Sequence, residues 1–233
     1  LTSLPENISE ILPNLQYFYC SNNKLTSLPE HLNLPNLQIL YCSNNNLSLL
    51  PDNLSEMLPN LQVLKCYNNN LTSLPEHFNL PNLQTLWCDN NNLTSLPNDM
   101  NLPNLQKFSC YNNKLTSLSD NICEMLPKLQ ELDCDNNKLT SLPDHLNLPN
   151  LEEFDCGNNK LTSLPLSLMN CRNLIEINYD NNPIDNLPIQ LLRFINNLRQ
   201  TNNNTLNVYN DEQNVHNSNI QLSIKESIEK LSL

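Results

Sequence analysis

Cysteines, histidines and closely spaced carboxylates are the side chains here that could do chemistry, and their spacing narrows what it is. Seven of the nine cysteines form a series, Cys20, Cys42, Cys66, Cys88, Cys110, Cys134 and Cys156, in steps of 22 or 24 residues, with Cys123 and Cys171 outside it. Structural zinc sites use Cys-x2–4-Cys pairs, and this series has none. If the series sits on adjacent strands, its Cβ atoms stand ~4.8 Å apart, beyond the ~3.5–4.5 Å that a disulfide prefers. The reading is a column of buried free thiols serving as small apolar residues, which implies a reducing compartment.

His31, His77 and His145 share a Pro-Glu/Asp-His setting. At strand spacing they stand ~10 and ~14 Å apart, too far to share one metal. They read as surface residues, and His216 has no Ser or Cys nucleophile placed near it. No metal or cofactor is expected. Carboxylates could act as an acid–base pair, but on an open, wet surface nothing is expected to raise one pKa above another. No enzymatic activity is expected.

Charge and composition exclude further classes. The net charge is 12 − 24 = −12, which argues against nucleic acid as a partner because that affinity comes from Lys and Arg. One glycine, Gly157, among 233 residues cannot build a phosphate-cradling loop. No apolar run approaches the ~20 residues that span a bilayer, so no membrane partner is expected. Sequons at Asn7, Asn46, Asn53, Asn70, Asn92 and Asn203 are expected by chance in so Asn-rich a chain, and no signal peptide is expected to precede them.

The elements that must position these residues are repeats. Leu12-Pro13-Asn14-Leu15-Gln16 recurs from Leu34, Leu58, Leu80, Leu102, Leu126 and Leu148, with a degenerate copy from Cys171, at steps of 22, 24, 22, 22, 24, 22 and 23. Each unit carries Leu-x-x-Leu/Phe-x-Cys-x-x-Asn-x-Leu, as in Leu83 to Leu93, and most close on Thr-Ser-Leu-Pro. In Leu86-Trp87-Cys88, Leu86 and Cys88 point inward while Thr85, Trp87 and Asp89 point outward, the alternation of a strand. No unit can bury its leucines alone, so neighbours stack into one continuous core.

This motif resembles the leucine-rich repeat family over roughly residues 1–188. The Asn-rich units with an inward Cys resemble repeat proteins of giant amoeba-infecting DNA viruses, and their Asn-Lys-Leu-Thr-Ser-Leu-Pro phrasing is similar to secreted bacterial effectors. The resemblance implies an α/β solenoid, curved, with its parallel sheet on the concave face and an irregular or short-helical convex face. It also places an asparagine ladder at Asn23, Asn45, Asn69, Asn91, Asn113, Asn137, Asn159 and Asn182, where the amide satisfies buried backbone groups. Asn tolerates left-handed angles, so it can replace Gly at the turns. Pro directs the chain toward the convex side.

Residues 1–188 are thus expected to hold about eight full units and a partial first one, 189–210 a capping segment, and 211–233 an amphipathic helical tail. Ile189 to Leu198 should be helical with Leu191, Leu192, Phe194, Ile195 and Leu198 on the packed side. Leu206 to Tyr209 suits a short strand. Ser218 to Gln221 reads as a capping box ahead of Ile220, Ile224, Ile228 and Leu231, and that helix either caps the core or docks a partner. The Asp211 to Asn217 lead-in resembles a segment near the ends of giant-virus proteins. The chain starts inside a unit and without Met, so upstream residues are expected to have been removed or left out.

Three outward columns define a binding face. They run Tyr17, Ile39, Val63, Thr85, Lys107, Glu131, Glu153, Glu176; then Tyr19, Tyr41, Lys65, Trp87, Ser109, Asp133, Asp155, Asn178; then Ser21, Ser43, Tyr67, Asp89, Tyr111, Asp135, Gly157, Asp180. The first five rungs present Tyr17, Tyr19, Tyr41, Tyr67, Trp87 and Tyr111. The last three present Glu131, Asp133, Asp135, Glu153, Asp155, Glu176 and Asp180. Rigid exposed aromatics suit a protein anchor, and crowded carboxylates call for a basic patch on that partner. The expected function is non-catalytic protein binding on the concave face, in the cytoplasm, the host's if the source is viral. Alternatives are a recognition arm of a ubiquitin-ligase assembly, its F-box lying outside this chain, and a purely structural, self-associating repeat. A monomer is expected, with weak self-association through the open ends as the variant.

Overall fold

The computed structural model describes residues 1–198. Eight three-residue strands follow one another: β1 Tyr17–Tyr19, β2 Ile39–Tyr41, β3 Val63–Lys65, β4 Thr85–Trp87, β5 Lys107–Ser109, β6 Glu131–Asp133, β7 Glu153–Asp155 and β8 Glu176–Asn178. They pair in chain order as one parallel sheet, and the register aligns Tyr19, Tyr41, Lys65, Trp87, Ser109, Asp133, Asp155 and Asn178 rung by rung. The middle residue of each strand turns inward, and from β2 onward each is buried: Leu40, Leu64, Leu86, Phe108, Leu132, Phe154 and Ile177. The core is continuous from end to end because each rung buries its leucines against the next.

Two asparagines divide the work of the turn after each strand. The first takes the left-handed conformation, at Asn22, Asn44, Asn68, Asn90, Asn112, Asn136, Asn158 and Asn181, with φ between 45° and 59°. The second makes the buried ladder. Asn91 Nδ2 donates to Cys88 O at 3.0 Å, Asp89 O at 3.1 Å and, on the previous rung, Cys66 O at 3.1 Å, while its Oδ1 accepts from Leu71 N at 2.9 Å. The positive φ thus falls one residue before the ladder asparagine.

The seven cysteines of the series are buried and free. Their thiols donate to the backbone carbonyl of the following rung at 3.2–3.6 Å, as Cys88 Sγ does to Ser109 O at 3.3 Å.

Unit length sets the convex side. The two 24-residue steps hold helical turns, α2 Leu54–Met57 and α3 Ile122–Met125, and the similar α1 Ile8–Ile11 precedes the first step. The 23-residue step holds a 3-10 turn, Leu166–Asn170, and the 22-residue steps hold turns, two of them joined by a parallel bridge between Asn79 and Asn101. Two more residues suffice to close an i→i+4 bond, seen as Leu58 N donating to Leu54 O at 3.0 Å. His31, His77 and His145 are exposed, and their carbonyls accept from Ser9 Oγ, Ser55 Oγ and Cys123 Sγ, one equivalent position in three units.

Residues 189–198 are helical. Leu191 and Ile195 are fully buried, and Phe194 and Leu198 pack against the core. Leu192 is instead 38% exposed, because it stands one position, ~100° of helix, from Leu191. The strand at Leu206 to Tyr209, the capping box at Ser218 and the tail of 211–233 lie outside the described residues. No helix among the described residues is long and apolar enough to cross a membrane.

Candidate functional site

The outward residues of the eight strands make one surface. At its start Tyr17 and Tyr19 are 50% and 62% exposed. Tyr19 meets Tyr41 edge-on, ring centroids 5.0 Å apart. Lys65 then lies over two rings, its Nζ 4.8 Å from the centroid of Tyr41 and 3.7 Å from that of Trp87. Tyr67, from the outer column, leans on Trp87 at 6.4 Å. The aromatics Tyr19, Tyr41, Trp87 and Tyr67 therefore form one connected cluster around a lysine. Tyr17 stands in register beside Ile39, and Tyr111 is exposed on the outer column.

Beyond Trp87 the surface drops into a groove of about 450 Å³. Ser109 makes the gap. Its side chain is short, so Trp87 and Asp133, on the rungs either side, face each other across it. Glu131, Asp133, Glu153, Asp155 and Glu176 line the groove, as do Lys107 and Asn178. Asp135 and Asp180 lie on the outer column, outside its lining. Asp89 does line it; it belongs to the outward columns but was not among the expected site residues.

Charge is unevenly compensated here. Lys107 pairs with Glu131 through Nζ and Oε1. Asp155 accepts from Asn178 Nδ2 on both oxygens at 3.1 Å and from Gly157 N at 3.0 Å. A Cβ at Gly157 would stand 2.8 Å from Asp135 Oδ1 and 3.0 Å from Asn178 Nδ2, so those side-chain ends would have to shift to admit one. Asp135 Oδ1 accepts from Asn158 Nδ2 at 2.8 Å. Asp89 Oδ1 accepts from the Ser109 hydroxyl and, at 3.2 Å, from Tyr111 N. Asp133 has Asp135 N on Oδ1 at 3.1 Å and the Ser109 oxygen 3.2 Å from Oδ2.

Burial pushes Asp133 up to about 6, with the Asp155 and Asp89 carboxylates adding to it against the hydrogen bond from Asp135 N. Burial also raises Asp89, against the hydrogen bonds from Ser109 and Tyr111. The expectation that nothing on this sheet separates one carboxyl from another is therefore wrong. A groove with a serine-sized gap shields two of them from water, and the sequence signal for it was Ser109 between Trp87 and Asp133 in the central column. Among the described residues no group of three or more His, Cys, Asp or Glu is placed to hold a metal ion.

Models of leucine-rich repeats match residues 13–56, 59–102 and 103–148, each a pair of repeats, and 150–171, a single repeat. No curated protein sequence matches the chain. Among solved structures it is similar to the leucine-rich effector YopM of Yersinia pestis, with 39% identity and a TM-score of 0.67 over 81% of this chain and 48% of that one. It is also similar to YopM of Yersinia enterocolitica, with 33% identity and a TM-score of 0.63 over 76% of this chain and 36% of that one. A third similarity is to the Toll–Spätzle complex of Drosophila, with 27% identity and a TM-score of 0.70 over 80% of this chain and 26% of that one. The chain thus spans half or less of the length of each.

Proposed function

The chain belongs to the leucine-rich repeat family, and from that premise we propose that it binds another protein on its concave sheet face without catalysing a reaction. Members of the family are generally interaction modules, and the Toll neighbour is a complex with a second protein. One observation carries the reading: the connected cluster of Tyr19, Tyr41, Lys65 and Trp87 runs directly into the acidic groove. Aromatics held on a rigid sheet bury large apolar area at small entropy cost, and the groove selects a basic rim on the partner. The remaining proposed contacts are Tyr17, Tyr67 and Tyr111 on the aromatic side. On the acidic side they are Glu131, Asp133, Asp135, Glu153, Asp155, Glu176 and Asp180.

The net charge of −12 supports a protein partner over nucleic acid. Nine free thiols support a reducing cytoplasm, and a giant-virus source, with the host cytoplasm as the site of action, rests on the Asn-rich units with an inward Cys. Recognition for a ubiquitin ligase is one use to which the same face suits, and ubiquitylation of the captured partner reads it out.

Capture from host lysate by wild type and by Trp87→Ala, with circular dichroism of both, tests the reading. A partner retained by wild type and weakened by ~2 kcal/mol or more in the variant is the expected result. Equal retention by two equally folded proteins removes the anchoring role. A second reading, self-association, is favoured by the exposed Ile11 and Leu12 beside β1. Light scattering over a concentration range decides it, and a constant monomer mass counts against it.

A further inference from the structure

The proton count around Ser109 does not close in the fully ionised state. Its hydroxyl carries one hydrogen, yet two carboxylate oxygens lie within reach, Asp89 Oδ1 and Asp133 Oδ2, the latter at 3.2 Å. Asp89 takes that hydrogen and the Tyr111 N–H on the same oxygen. Asp133 Oδ2 then faces an oxygen lone pair, a repulsive contact unless Asp133 brings its own proton.

Its other neighbours do not relieve it. On β7, across one rung, stands the Asp155 carboxylate, already served by Asn178 and Gly157. Glu153 lies beside Asp155 on the same strand. On its own strand Glu131 is matched by Lys107 from β5, so that ammonium is committed elsewhere. Asp135 lends its N–H, while its own carboxylate holds Asn158. Beneath lie the Cys110 and Cys134 thiols, neutral because burial raises both. Glu153 and Glu176 lie exposed to water, whereas Asp133 is half-buried with one N–H and a shared serine oxygen as contacts, and burial together with the flanking Asp155 and Asp89 keeps its proton on up to about pH 6.

We propose that the groove stores one proton on Asp133, donated to Ser109 Oγ, and exchanges it for the guanidinium or ammonium group of a basic partner segment, so that docking releases a proton. This rests on the reading of the sheet face as a docking surface and adds its regulation. The occupant is an extended, arginine-bearing protein segment. Six carboxylates against one lysine line a groove that Trp87 walls at one end, and an arginine offers both a bidentate fork for Asp133 and a plane for the indole. No bond other than O–H breaks; the proton passes to buffer as the cation's N–H groups replace it on Oδ2.

The test uses the full 233-residue chain and a hexaarginine peptide as probe. Titration calorimetry at about pH 6, in two buffers of different ionisation enthalpy, is expected to show roughly half a proton released per peptide. Affinity is expected to rise about tenfold between about pH 5 and about pH 7.5. Asp133→Asn, which keeps the shape, should abolish the release, and Asp144→Asn, at an exposed carboxylate away from the sheet face, should preserve it. Carboxyl NMR of the free protein should place the Asp133 midpoint near 6.

A buffer-independent binding enthalpy, an Asp133 midpoint in the ordinary carboxylate range, or a failure of the peptide to bind overturns the proposal. Each of these leaves the docking reading standing, because loss of a captured partner in Trp87→Ala is read separately. Loss of that effect with proton release intact overturns the aromatic anchor alone.

Discussion

Lys65 Nζ stands 3.7 Å from the centroid of the Trp87 ring, one rung away on the neighbouring strand, with the Tyr41 ring 4.8 Å off on its other side. A cation held over an indole face at a partly exposed site contributes about 0.5–1 kcal/mol. Its larger effect here is on order, because it fixes the rings that the partner is proposed to meet.

Lys65→Met should therefore lower stability by about 1 kcal/mol or less. It should also alter the emission of Trp87, the only tryptophan in the chain. Intrinsic fluorescence of the folded variant against wild type checks this directly. Unchanged emission would show that the ammonium does not rest on the indole in solution.

The paired asparagines predict two different failures from adjacent positions. Asn91→Ala leaves Leu71 N without its partner deep in the solenoid and takes one of two donors from Cys66 O, Cys88 O and Asp89 O, which keep Asn69 Nδ2, Asn113 Nδ2 and Asn68 N. At ~1–3 kcal/mol for a buried group left unpaired, the loss should reach ~2 kcal/mol or more. Asn90→Ala removes no such partner, but asks an alanine to hold φ at 51°, which costs ~1 kcal/mol. Asn90→Gly should recover that loss because glycine accepts the left-handed region freely. Urea unfolding midpoints of the three variants rank them, and an Asn90→Gly protein weaker than Asn90→Ala would contradict the assignment.

Much of this fold was legible from period alone. The step from Leu12 to Leu34 and onward located every strand, and two of the three outward columns coincide with the observed register, from Tyr17 to Glu176 and from Tyr19 to Asn178. Three things were not. The left-handed residue is Asn90 and not Asn91, a distinction set by backbone angles that two identical side chains do not announce. The groove was also missed, because a column lists residues without their depth. Ser109 reads as one more polar residue until Trp87 and Asp133 are seen to rise on either side of it. Leu192 failed for a third reason: it stands ~100° of helix from the buried Leu191 and turns outward on the side of the exposed Ile189.

Asp133 makes stability depend on pH in the less common direction. Its pKa is raised in the fold, from 3.8 to about 6, so the native state holds more protons than the unfolded chain between those values. Stability from this group is full below the unfolded pKa and is lost as pH rises through about 6. Water still reaches the carboxyl, so the full shift is discounted to about 1 kcal/mol. Asp133→Asn should accordingly be about that much more stable than wild type near neutral pH, with no advantage near pH 4. Chemical denaturation at the two pH values checks the sign, and a variant destabilised at neutral pH would refute it.

Thiol reactivity separates the ladder from its outliers. Burial holds the Cys20 thiol up at about 11 and Cys66 at about 12, and raises the other five of the series too. The thiolate is the nucleophile, so these seven should be inert in the native protein. Cys171 is fully buried as well, whereas Cys123 is partly exposed on α3. A thiol reagent at about pH 8 should therefore modify Cys123 first, and Cys123→Ser should remove the fast phase. The serine should also preserve the fold, since Ser9 and Ser55 already occupy the equivalent position and donate to the same type of carbonyl. All nine thiols should react once the chain is unfolded. A fast phase that survives Cys123→Ser would mean that rungs open on the reagent's timescale, and mass mapping would identify which rung yields first.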